Sequence, residues 1–368
     1  MLNKQSMSGP KKPRLPFLDW MRGVAAVIML QGHTFHSFTR QDLRNDGPYV
    51  LSQFFGGIGP AIFLFLTGIT FSFIMESGER RRLTMRDRWV TALGRARYLI
   101  VLAFLFRFQL WLFGQPYSPW TDLFKVDVLN CMALTFVALS PLALMNTAQR
   151  IRWCAIMGVI IAAAAPLVSY ANWSWLPDGF SMWFVPNANY FAFFPWAAFI
   201  AFGVSAGSVL KIITADQINR VMQWSAISGF ALILSGSYFS NLPYSLYPKS
   251  DFWLNSPLLV QMKLGILLVI IAFAYLWTEY VVRDKWSWIK QLGTTSLLVY
   301  WVHIEIVYGR WFGGFKDALD NYQVVAFSVI LIAAMLGLSV FRTKLKDVRF
   351  PSWIPAGAPL QPRRVSGD

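Results

Sequence analysis

The chain has 368 residues, of which 56% are hydrophobic and 14% charged, and its formal net charge is +15. A soluble domain of this length charges about a quarter of its positions, and one globular core could not hide so large an apolar fraction. The basic residues sit in short segments between long apolar runs, which is a topology signal rather than a phosphate-lined groove, so nucleic acid is excluded as the expected partner.

In chain order, residues 1–16 form a basic tail, expected to be cytoplasmic and mobile. Apolar stretches then recur, most of them near the twenty residues or so that cross a hydrocarbon core. They predict spans at 17–38, 51–75, 98–113, 123–145, 153–170, 189–210, 221–240, 257–280, 291–309 and 323–342. The third is short and contains Arg107. Residues 343–368 form a second basic, Pro-rich tail. The expected fold is an all-α, polytopic transmembrane helix bundle of about ten spans, with the 17–342 segment as its membrane domain. Abundant Trp (17) and Phe (31) fit aromatic belts at the two interfaces.

Charge placement sets the orientation. With the amino terminus inside, cytoplasmic segments carry 24 of the 33 Lys and Arg, external segments carry 6, and Arg22, Arg107 and Lys263 fall within spans. This bias predicts both termini inside. The first span contains Arg22, Gln31, His33 and His36, and no A-x-A site follows it, so it reads as a retained helix rather than a signal peptide. Cys131 and Cys154 fall inside predicted helices and read as small buried hydrophobes. No spacing of Cys and His fits a zinc or iron–sulfur site, and no metal is expected.

Ionisable residues inside membrane spans are costly and mark function by default. Arg22 and His33 are 11 residues apart, close to three whole turns, so they share one helix face about 16 Å apart along the axis. That length is comparable to an extended pantetheine arm. Arg22 falls toward the cytoplasmic end, and His33 in the outer half. Depth places His36, Asp127, Asn130, Lys263, His303 and Glu305 in the outer half too, which predicts one polar cavity there holding all three histidines. Arg107, near mid-membrane, either joins that cavity or pairs with an acid. Blander roles stay open: Arg22 as a snorkelling anchor, and the histidines as interhelical hydrogen-bond partners. Such a cavity suits His as general base or as acyl-accepting nucleophile, with Glu305 or Asp127 orienting an imidazole. It equally suits a proton relay in a transporter of a small anion or sugar.

Two stretches carry a resemblance. "LDWMRGVAAVIMLQGHTF" followed by "FFGGIGPAIFLFLTGITFSF" resembles the start of the heparan-alpha-glucosaminide N-acetyltransferase-like family, within the broader acyltransferase-3 superfamily. "VDVLNCMAL", "FFPWAAFIAFGVSAG" and "LGTTSLLVYWVHIEIVYG" are similar to later family segments. The resemblance implies acyl transfer across the membrane. An acyl group, commonly acetyl, would pass from cytoplasmic acyl-CoA (acetyl-CoA as co-substrate) to a hydroxyl or amino group, usually of a sugar or glycan. By that analogy Arg22 helps hold CoA, the cluster Arg80–Arg97, with Arg95 and Arg97, attracts its phosphates, and His33 is base or acetyl carrier. The same cluster also reads as a positive-inside anchor.

The expected candidates are therefore His33, His303, His36, Glu305 and Asp127 for catalysis. Arg22, Arg95, Arg97 and Arg107 are expected to hold acyl-CoA, and Asn130 and Lys263 the acceptor. The expected setting is a cell membrane, a bacterial inner membrane by preference. The expected partners are the bilayer, acyl-CoA and a sugar or glycan, and a homo-oligomer is compatible with the sequence.

Overall fold

The computed structural model describes residues 15–347, and the two tails expected at 1–16 and 343–368 lie almost wholly outside that range. Among the described residues there are helices and no strand, only two isolated β-bridges. In chain order the helices are α1 (Pro16–Phe38), α2 (Gly47–Gly56), α3 (Gly59–Arg80), α4 (Met85–Phe113), α5 (Val128–Leu139), α6 (Thr147–Tyr170) and a single turn, α7 (Asp178–Ser181). They continue as α8 (Phe193–Ile212), α9 (Ile218–Ser240), α10 (Pro257–Leu276), α11 (Trp288–Thr294), α12 (Ser296–Tyr308) and α13 (Asn321–Asp347).

Local chemistry sets several boundaries. Asp127 starts α5 through a capping box: its carboxylate accepts from the Leu129 and Asn130 N–H groups, and the Asn130 side chain accepts from the Asp127 N–H. Asn146 and Gln149 start α6 in the same way. Pro16 and Pro257 open α1 and α10, where a missing N–H costs nothing. The run from Arg86 to Arg97, expected as a basic segment ahead of the 98–113 span, is the first half of α4. The Thr84 hydroxyl caps that helix by accepting from the Asp87 N–H at 3.2 Å. Charge had hidden this helical half, whose basic side chains are largely exposed.

Glycines let the helices pass at backbone contact. A Cβ on Gly68 of α3 would collide with the Ile200 carbonyl of α8, and one on Gly203 of α8 with the Phe65 carbonyl of α3. Gly23 of α1 and Gly293 of α11 bring those two helices equally close. Two apolar clusters result. The larger centres on α3, α5 and α8, with Phe65, Phe71, Phe136 and Phe199 fully buried. The smaller joins α1, α11, α12 and α13 through Ala26, Leu30, Leu292, Val299, Val307 and Val324. Cys131 and Cys154 are free and buried, as expected.

Each expected span coincides with a helix or a pair of consecutive helices, but six stretches alone are long and apolar enough to cross a membrane among the described residues: Gly47–Arg80, Met85–Phe113, Thr147–Tyr170, Phe193–Ile212, Pro257–Val282 and Asn321–Leu345. The others fall short for physical reasons. Val128–Leu144 and Ser296–Tyr308 are apolar but shorter, and α1 and α9 are long but more polar. The protein is a multi-pass membrane protein, and the expected count of ten crossings is not carried by length and hydropathy alone.

Candidate active site

A cavity of about 1840 Å³ runs along α1. One stripe of that helix, with Leu15 just ahead of it, lines the cavity: Leu18, Asp19, Arg22, Met29, Gly32, His33 and His36. The intervals of three, four and seven residues keep these side chains on one face. Arg22 and His33 therefore share the cavity, as their spacing predicts. Arg22 is held by Asp19 at 2.7 Å and reaches the Thr70 hydroxyl of α3 at 3.4 Å. Besides Arg107 and Lys125, three further cations line the same cavity, Arg95, Lys211 and Arg342. They come from α4 and from the C-terminal turns of α8 and α13, on the side of the bundle where α1 begins. The first turn of α12 also opens onto it at Ser296, Leu297 and Leu298, and no side chain caps its N–H groups.

At the other end of the stripe two imidazoles meet. His33 Nδ1 lies 2.9 Å from His303 Nε2, and the rings are nearly parallel, 11° apart. His303 is fully buried on α12, and its Nδ1 lies 2.8 Å from the Val299 carbonyl oxygen one turn back. That contact fixes the tautomers of the neutral pair. A carbonyl only accepts, so His303 Nδ1 carries a proton and its Nε2 is bare. His33 Nδ1 must then donate, which leaves His33 Nε2 as the pair's free lone pair. His33 is the member that lines the cavity, while His303 stands behind it. Glu305 and Asp127 were expected to orient an imidazole, but a backbone carbonyl does so.

Neighbouring contacts hold this end in place. Tyr308 brings its ring edge to His33, centroids 5.3 Å apart, and its hydroxyl to His36 Nδ1 at 3.4 Å. Gln53 Nε2 donates to the Gly32 carbonyl and Gln31 Nε2 to the Ser52 carbonyl, each at 3.1 Å, pinning α2 beside the histidines. Outside them, Lys316 donates to Ser37 Oγ at 2.8 Å and to the Val307 carbonyl, tying the end of α1 to the end of α12. Burial lowers the Lys316 ammonium pKa from its ordinary value. Arg44 pairs with Asp317, and the bridge of Thr39 to Leu319 completes the clasp.

A family model for an acyltransferase domain, that of the acyltransferase-3 family, matches residues 15–342. The chain belongs to this family. None of the curated proteins matches it. The matched region spans the whole cavity, from Leu15 to Arg342.

Within this acyltransferase the predicted candidates divide. Arg22, His33, His36, Asp127, Arg95 and Arg107 line the cavity, with His303 directly behind His33. Arg107 does both things foreseen for it, lining the cavity and pairing with Asp127 at 3.2 Å. Four other candidates do not line the cavity. Glu305 is two residues from His303 and so faces away from it. It is bound to Gln109 and Trp311 in a separate pocket. Asn130 is spent on the α5 capping box and buried behind Asp127. Lys263 does not line the cavity; its ammonium rests over the Trp196 ring at 5.1 Å. Arg97 is exposed and turned away, two residues from Arg95, which does line the cavity. Among the described residues no cluster of His, Cys, Asp and Glu could hold a metal. Tyr308, Gln53, Lys211 and Arg342 escaped the sequence reading, and only the distance of Tyr308 from His303, just over one turn, hinted at its place.

Proposed function

We propose that the protein transfers an acetyl group from cytoplasmic acetyl-CoA to a hydroxyl or amino group of a sugar or glycan on the far side of the cell membrane. The observation that carries this reading is the single cavity joining a cationic end, Arg22 with Arg95, Lys211 and Arg342, to the His33–His303 pair along one face of α1. The rise of 1.5 Å per residue puts about 16 Å between Arg22 and His33, which suits a thioester on an extended arm anchored by its phosphates. The 24-to-6 distribution of Lys and Arg supports both termini inside. The sugar or glycan acceptor is the class that the likeness to the glucosaminide acetyltransferase-like family implies.

In this mechanism His33 Nε2 takes the proton from the acceptor as its oxygen or nitrogen attacks the thioester carbonyl carbon. The carbon–sulfur bond then breaks, and the CoA thiolate leaves with the proton returned by the His33 imidazolium. His303 keeps His33 in the competent tautomer and orientation, and the Val299 carbonyl does the same for His303. His36 and Tyr308 flank the acceptor side. Family membership supports acyl transfer over the transport alternative.

The test is radiolabelled acetyl-CoA with the purified full chain and a panel of sugar acceptors. Label transfer by the wild type and its loss in His33→Ala are expected. Transfer by His33→Ala at the wild-type rate overturns the proposal, as does a wild type that binds no CoA.

A further inference from the structure

The face of α12 turned away from the histidine pair has a pocket of its own. It measures about 580 Å³, lies between α4 and the end of α12, and is lined by Gln109, Trp301, Glu305, Ile306, Trp311 and Phe312, among others. Its polar atoms are arranged around the Glu305 carboxylate. Trp311 Nε1 donates to one oxygen at 2.9 Å, and Gln109 Nε2 to the other at 3.0 Å. The Gln109 amide is itself fixed, because its oxygen accepts from Trp301 Nε1. Both indole N–H groups are thus committed to this network.

A carboxylate offers about four lone-pair positions, and two are used here by neutral donors. Among the described residues no Lys, Arg or His forms an ion pair with Glu305. Arg310 lies close in sequence, but its guanidinium sits over the Trp311 ring at 5.8 Å and reaches the Gln115 carbonyl at 3.4 Å. The pocket therefore presents one negative charge beside aromatic rings, which is complementary to a cation. Its setting names the source. Glu305 lies in the last turn of α12, just before the segment that leads to α13. The neighbouring surface of α4 is apolar and open, with Phe108 and Leu112 each 49% exposed and Phe113 40% exposed. Acyl chains can lie along that surface while a headgroup enters the pocket.

We propose that this pocket binds the primary ammonium headgroup of a membrane phospholipid, phosphatidylethanolamine, with Glu305 as its counter-ion. A primary ammonium brings N–H donors to the two unused lone pairs, and a quaternary ammonium brings none. The site is separate from the acyl-transfer cavity and does not rest on that reading.

The test is native mass spectrometry of the full chain in detergent, titrated with phosphatidylethanolamine, its N-methyl and N,N-dimethyl forms and phosphatidylcholine of identical acyl chains. Wild-type binding should weaken stepwise with methylation, by about tenfold from first to last, the scale of one charge-assisted hydrogen bond. This series needs no variant. Glu305→Gln should flatten it while leaving binding of phosphatidylglycerol unchanged. Equal binding of ethanolamine and choline lipids by the wild type overturns the proposal, as does an unflattened series in Glu305→Gln. Competition by free ethanolamine at concentrations equal to the lipid overturns the lipid as source.

Discussion

His303 and Glu305 sit two residues apart on α12 and at one depth, yet they belong to different regions of the molecule. Two residues turn an α-helix by about 200°, so one side chain faces α1 and the main cavity while the other faces α4 and an apolar groove. On the first face a buried imidazole is ordered by its own backbone and backs a second imidazole that lines the cavity. On the second a carboxylate accepts from one amide and one indole and meets no histidine. The same depth holds two chemistries because azimuth, not depth, decides what a helix side chain touches.

Mutations can break this contrast, beginning with the largest effect. His33→Ala should lower acetyl transfer by about 10²–10⁴, the usual contribution of a general base, in the radiolabel assay. His303→Ala should cost nearly as much, and the double variant little more than His33→Ala alone, because residues acting as a unit are not additive. Rate losses that multiply in the double variant would show that the pair does not act together. Arg22→Ala should raise KM for acetyl-CoA by roughly tenfold, the worth of a charge-assisted contact, with a smaller change in kcat. Steady-state kinetics separate the two. Glu305→Gln should leave transfer in detergent within about twofold of wild type, a change of about 0.5 kcal/mol or less. A large loss there would erase the distinction between the two faces of α12.

The sequence carried the axial coordinate of these residues well. The 11-residue spacing of Arg22 and His33 predicted a shared face, and both line one cavity. Depth counting also brought His33 and His303 to one level. It could not supply azimuth, since α12 is apolar on nearly every side and no amphipathic stripe marks its inward face. Glu305 was misplaced for that reason. Asn130 stands off the cavity for another reason: the Asp127–Asn130 spacing is that of a capping box, a local signal that competes with any long-range role. Arg97 shows the same two-residue reversal on α4, where Arg95 alone of the two lines the cavity. The ten-span count followed apolar runs faithfully as helices. It outran what length and hydropathy carry at four stretches, and for one of them, α1, the reason is functional: the helix that bears Arg22, His33 and His36 is polar along the face that lines the cavity.

The pair of imidazoles spans 270 residues of sequence. At about 5–20 residues per second of synthesis, His33 enters the membrane roughly 15–50 s before its partner is made. For that interval His33 stands without the neighbour that sets its tautomer, and α1 without the lysine that clasps its end to α12. A chain stalled anywhere short of α12 therefore carries half of the proposed catalytic pair, and chemistry waits until the last third of the protein has been threaded into the bilayer.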